Sequence, residues 1–320
     1  MQRRDILRAG GALATLPLIQ RAGAQSFPSR TVTLLVPYAA GGNADITARL
    51  FAEALTKTLG QPVIVDNRGG GGGAIGAMQV INAKPDGHTV LFSAPGVFSV
   101  TPHLVKVGYN LNSIRPVCLV SKTPLVLVVK KGKYKSLQEL VAAAKANPGG
   151  VPMGYSGLGT PNHLALLNLE AVGQVRFTPI AYKGSGPMLQ DMLAGQIEVG
   201  ADQVSTSKPY IDSGDLVPLA VFGPPLALLP GVPTVSSLGP EPFDVTTYLG
   251  VAAPKETPDA VVAALQKAAR AAMEDPKLIA GIAKLNSALQ FGDAAEYDRA
   301  MRNENDFVQK MVASGRIKAD

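Results

Sequence analysis

The chain has 320 residues, 46% of them hydrophobic, with a formal net charge of +6, one cysteine, three histidines and no tryptophan. That length and apolar share suffice for two α/β domains with buried cores, and a single cysteine (Cys118) excludes an intrachain disulfide and any cysteine-based metal site. The basic balance is weak and shows no cluster of Lys/Arg with aromatics, so the nucleic-acid-binding pattern is missing.

The N-terminus reads as an export signal. Arg3, Arg4 and Arg8 precede a small, apolar run from Ala9 to Ile19, and Ala22-Gly23-Ala24 supplies an A-x-A cleavage site. The apolar run is too short for a membrane-spanning helix. Arg3-Arg4 followed by Ile6-Leu7 matches a twin-arginine signal, with a Sec signal as the alternative. Cleavage after Ala24 removes 24 of the 320 residues, leaves 296, and lowers the charge from +6 to +3, since Arg3, Arg4, Arg8 and Arg21 leave with Asp5. The expected location is the periplasm. Gln25, not a cysteine, stands directly after the cut, so no lipid anchor is expected.

Val32 to Val36 reads as a buried strand that breaks at Pro37. The small-residue loop Tyr38-Ala39-Ala40-Gly41-Gly42 follows, then a helix with Asn43 as its expected N-cap and Asp45 in its first turn. A strand, a Gly-Gly turn and a helix N-terminus form a natural anion cradle, although ordinary α/β units use the same turn. Pro62 to Val65 is a second strand, leading through Gly69–Gly73 to a helix from Ala74 to about Ala83. His88 to Phe92 is a third strand, ending in Ser93-Ala94-Pro95-Gly96. Strands separated by helices predict parallel pairing, with ligands bound beyond the carboxyl ends of the strands. Gly71-x-Gly73-x-x-Gly76 matches a dinucleotide fingerprint, but no acidic residue ends the next strand, so a closely packed loop is the better reading.

Leu119 to Lys130 is extended and apolar, and marks the passage into a second domain. Ser136 caps a helix to about Ala146. Two further strand–loop–helix units follow: Tyr155 to Ala171, with Thr160 as N-cap and Pro161 at the first helical position, and Pro179 to Gly195. Val199 to Gln203 and Leu216 to Phe222 are strands. Tyr248 to Pro254 is extended and is expected to run back beside Leu125–Lys130. Helices then occupy Pro258 to Met273, Pro276 to Asn286 and Ala294 to Ala313.

Catalytic patterns do not assemble. His88, His103 and His163 lack metal-ligand spacing, and no loop serine sits in a Gly-x-Ser-x-Gly elbow. His163, at a helix start, either donates to a ligand or caps its own loop. Lys183 is either a ligand cation or a solvated loop lysine. Asp45 orients the start of its helix, and would be the first partner for a ligand ammonium.

Six motifs in sequence carry a family likeness. They are Pro37-Tyr38-x-x-Gly41-Gly42-x-x-Asp45-x-x-Ala48-Arg49, Val65-Asp66-Asn67-Arg68, Pro85-Asp86-Gly87, Ser156-Gly157-x-Gly159-Thr160-x-x-His163-Leu164, Tyr182-Lys183-Gly184-Ser185 and Val232-Pro233-Thr234. Together they resemble the Bug family of periplasmic solute-binding receptors, related to tripartite tricarboxylate transporters. The resemblance covers the whole mature chain. It implies an α/β, type II periplasmic-binding-protein fold, with residues 25–123 and 247–320 in one domain, 124–246 in the other, and a cleft between. It also implies a small carboxylate ligand held by backbone amides and waters, without cofactor, metal, nucleic acid or catalysis, in a monomer. Carried onto this chain, the ligand site comprises Tyr38, Ala39, Ala40, Gly41, Gly42, Asn43, Asp45 and Ser93 from the first domain. From the second come Ser156, Gly157, Gly159, Thr160, His163, Tyr182, Lys183, Gly184, Asp202 and Gln203. Gln203 stands where relatives often have Asn, and Tyr248 where many have Trp. The implied partners are membrane subunits of a tripartite transporter, or alternatively a sensor kinase. A periplasmic enzyme is the remaining alternative.

Overall fold

The computed structural model describes residues 27–239, 245–313 and 315. The expected export signal, residues 1–24, lies outside the described residues. The chain opens β1 (Val32–Val36), α1 (Asn43–Leu59), β2 (Val63–Asn67), α2 (Ala74–Ile81) and β3 (Thr89–Ser93), and β1 pairs parallel with both β2 and β3. Apolar residues spaced three and four apart on α1 bury Ala48, Phe51, Ala52 and Leu55, and Phe51 packs on Phe92 with ring centroids 5.8 Å apart. Gly60, in the left-handed region at φ 69°, ends α1 by donating its N–H to Thr56 C=O.

Two short helices, α3 (Gly96–Ser99) and α4 (Thr101–Leu104), lead to β4 (Ile114–Lys130), a strand of 17 residues. The second half continues with α5 (Leu137–Ala146), β5 (Pro152–Tyr155), α6 (Pro161–Gly173), β6 (Thr178–Ala181), α7 (Ser185–Ala194), β7 (Val199–Gln203), α8 (Val204–Asp212) and β8 (Leu216–Val221). β9 (Thr246–Pro254) then returns the chain to the first half, which closes with α9 (Asp259–Ala272), α10 (Pro276–Lys284), β10 (Ala288–Gly292) and α11 (Ala294–Ala313).

β4 joins the two lobes. Its Ile114–Pro124 portion pairs antiparallel with β9, and its Leu125–Val129 portion pairs antiparallel with β7. The strand order β2-β1-β3-β9-β4-β7-β5-β6 therefore runs through both lobes, with β8 and β10 also paired to β4. Side chains alternate across a strand, so Leu125, Leu127 and Val129 enter one core while Val126 and Val128 enter another. Both faces of this portion are buried, which explains its unbroken apolar sequence.

Two expectations need correction. Tyr248–Pro254 lies beside Ile114–Lys122, not beside Leu125–Lys130, because β7 and β8 already flank the latter. The N-cap of α1 is Gly42, and Asn43 is its first residue. α8 and β10 carry no expectation from sequence; α8 contains Pro209 after a Ser/Thr-rich start.

Candidate functional site

Four helices begin at one place. Gly42, Thr160, Gly184 and Gln203 are the N-cap residues of α1, α6, α7 and α8. All four line one small cavity of ≈ 30 Å³, with Tyr38, Asn43, Ala44, Ala94, Ser156, Pro161, Ser185, Thr247 and Leu249. A single water needs about 10–15 Å³, so with the lobes in this position only a small group fits. Each helix start carries roughly half a positive charge and N–H groups without intrahelical acceptors. Thr160 Oγ1 accepts from the His163 N–H at 3.3 Å, whereas Gly42, Gly184 and Gln203 provide no side-chain cap. None of the lining residues is charged. The cavity thus offers an anion aligned dipoles and amides in place of an ion pair.

Small residues let the lobes approach this closely. The Ala39 N–H of the first lobe donates to the Lys183 C=O of the second at 2.8 Å. A methyl group on Gly96 would stand 2.2 Å from the Gly159 carbonyl oxygen, and one on Gly72 would stand 2.4 Å from that of Leu158. Any larger side chain at either position would hold the lobes apart.

Beneath the cavity lies a buried polar network. Gln203 Oε1 accepts from Ser185 Oγ at 2.9 Å, while its Nε2 donates to Asn162 Oδ1 at 2.7 Å and Thr247 Oγ1 at 3.1 Å. Asp202 is fully buried and accepts from Thr206 and Ser207 hydroxyls, each at 2.6 Å. Burial pushes its carboxyl above the usual carboxylate range, against the lowering effect of those donors.

The structure gathers part of the sequence-derived set. Tyr38, Gly42, Asn43, Ser156, Thr160, Gly184 and Gln203 line the cavity. Asp45 supports it from behind, accepting the Gly41 N–H at 2.9 Å and pairing with Arg49 at 2.9 Å. His163 caps its own loop: Nδ1 accepts from the Gly159 N–H at 3.3 Å, the ring stacks on Tyr155, and burial pushes its pKa down to about 4. Tyr182 turns its hydroxyl to Asp191 at 2.8 Å, and Ser93 donates to Ala94 C=O. The Lys183 side chain is exposed, as are Ala40 and Gly41; Ala39 is half-buried at the seam. Gly157 and Gly159 shape the loop before α6 with positive φ, and Asp202 lies below Gln203. Sequence reasoning missed Ala44, Ala94, Pro161, Ser185, Thr247 and Leu249 as lining residues. The period of two along β9 could have paired Thr247 with Leu249 on one face. Among the described residues no group of His, Cys, Asp and Glu could hold a metal ion.

Two α/β lobes joined by continuous strands, with converging helix N-termini at their junction, define a protein of the type II periplasmic-binding-protein fold. Residues 47–314 match the family described as tripartite tricarboxylate transporter family receptor. The chain belongs to that family. It is similar to the periplasmic binding protein BugD, with TM-score 0.86, 31% identity, and coverage of 92% of this chain and 100% of that one. MatC from Rhodopseudomonas palustris, solved with bound malate, gives TM-score 0.84 and 28% identity over 89% of this chain and 100% of that one. Rpa4515 from R. palustris, solved with adipate, gives 0.85 and 28% over 92% and 100%.

Proposed function

We propose that this protein is a periplasmic receptor that captures a small di- or tricarboxylate, acidic amino acid or aromatic acid between its lobes and delivers it to a tripartite transporter. The observation that carries this reading is the meeting of four helix N-termini at one uncharged cavity. Such a site favours an anion and supplies its donors from the backbone. The malate and adipate in two related structures support a dicarboxylate as the first ligand to test. The lobes, residues 25–123 with 247–320 and residues 124–246, open about β4 and β9 and close on the solute, with the signal of residues 1–24 removed on export. The lining residues are uncharged and the family is one of receptors, which supports binding and release as the output. Delivery to membrane subunits fits the family; signalling through a sensor kinase would use the same closed form.

A thermal-shift titration of residues 25–320 with malate, adipate, citrate and glutamate tests the reading. Ligand at one hundred times its dissociation constant stabilises the fold by about 2.7 kcal/mol. A saturable shift without turnover is expected from at least one acid; no shift with any acid, on protein stripped of bound ligand by unfolding and refolding, would overturn it.

A further inference from the structure

Asn43 is only 3% exposed, yet its Nδ2 has no hydrogen-bond partner among the described residues, and the residue lines the cavity. Its other amide atom is fully engaged. Asn43 Oδ1 accepts from Ser205 Oγ at 2.8 Å and from Thr123 Oγ1 at 3.3 Å. Thr123 is itself tied to Ser287 at 2.8 Å. The Ser205 hydroxyl is buried and bonds only to this oxygen among the described residues, so turning the amide over would leave that O–H without an acceptor. The nitrogen is therefore the amide atom left without a partner in a residue that lines the cavity. Buried donors without acceptors are rare, and leaving one unmade costs more than a made bond contributes.

The three partners come from different parts of the fold. Asn43 opens α1 in the first lobe, Thr123 lies on β4 where the lobes join, and Ser205 lies in the first turn of α8 in the second lobe. The Ser205–Asn43 bond can exist only with the lobes together. We propose that Asn43 Nδ2 donates to an acceptor oxygen of the bound acid, and that Ser205 is the positioning residue that aims this donor when the lobes close. This rests on the carboxylate reading above and adds to the backbone amides a side-chain donor that selects for an oxygen at that point. A ligand that presents an ammonium there meets donor with donor and is rejected.

The test is calorimetric titration of the mature protein and its N43A, N43D and S205A variants with malate and with adipate. Loss of one hydrogen bond to a charged group is expected to weaken binding about 10- to 100-fold in N43A. N43D turns a lone pair on the acid and loses at least as much at pH 8. That deficit relative to wild type shrinks at pH 5, as the introduced carboxyl protonates and can donate. An acidic residue in the first turn suits the helix dipole but its burial costs stability, so each variant's ligand-free melting temperature is measured alongside and the titrations are run well below it. S205A weakens binding and S205T restores it. Wild-type affinity in N43A, or an N43D deficit independent of pH, would overturn the assignment while leaving the receptor reading intact. Failure of the wild-type protein to bind either acid would instead remove the reading on which it rests.

Discussion

The replacement Gly96→Ala isolates lobe closure from folding. Gly96 lies in the helical backbone of α3 and is not a residue of positive φ, so alanine costs it no backbone strain and improves its helix propensity. With the lobes as they stand, the new methyl would be 2.2 Å from the Gly159 carbonyl oxygen, a separation at which one of the two backbones must move. In an opened form the same methyl faces solvent. Overpacking of this kind costs about 1–3 kcal/mol, and here the cost falls on the closed form alone. At about 1.4 kcal/mol per factor of ten, the variant should bind its acid roughly 5- to 150-fold more weakly. Its ligand-free stability to urea should equal or slightly exceed that of the parent. Calorimetry gives the affinity, and small-angle X-ray scattering should show less compaction on adding ligand. Gly108, whose added methyl would meet nothing within 4 Å, provides the control G108A. Wild-type affinity in G96A would refute closure across this seam.

Other consequences concern stability and pH. Burial pushes the Glu304 carboxyl up to about 7 from an ordinary 4.5, even though Ser99 donates to it. The folded form therefore holds a proton that the unfolded form has released, and this group makes stability fall as pH rises from 4.5 to 7. E304Q should match the parent in urea midpoint at pH 4.5 and exceed it above pH 7. His163 acts with the opposite sign: its folded pKa of about 4 lies below the ordinary 6.5, so its stabilisation is complete above pH 6.5 and lost as pH falls toward 4. H163Q should flatten that acid limb in the same assay. Phe51→Ala should cost about 3–5 kcal/mol by urea denaturation, because Phe51 is fully buried and packed on Phe92. Ser136→Ala should cost about 1 kcal/mol, since Ser136 Oγ accepts the Glu139 N–H at 3.1 Å and caps α5.

The strand–helix units were legible because their signals are local. Ser136 and Thr160 cap the helices they were expected to cap, and the small-residue loops fall at the carboxyl ends of the strands where the cavity forms. What the sequence could not show is which of those loop atoms face the cavity. Tyr182 and His163 sit in motif positions beside lining residues, yet one hydroxyl turns to Asp191 and one ring turns back on Gly159. Those choices are made by partners only nine and four residues away, but which partner a side chain meets depends on how the folded loop turns, not on residue type. The partner of β9 was misjudged for a related reason. Leu119 to Lys130, read as one extended apolar run, lies within β4, and only pairing with β7 and β8 decides which portion β9 can reach. Asn43 shows the same limit at a single residue: its type suggested an N-cap, but Gly42 takes that place and frees the side chain to bridge the lobes.

The central claim is that an anionic carboxylate is held by dipoles and amides at four converging helix starts. Calorimetric titration of the mature protein with adipate and with its neutral diamide, matched in length and shape, tests this most directly. The diacid should bind one-to-one and the diamide at least 100-fold more weakly, with little change in the diacid's affinity as salt rises, because the site is buried. Equal binding of acid and diamide, or no binding of any diacid, would contradict it.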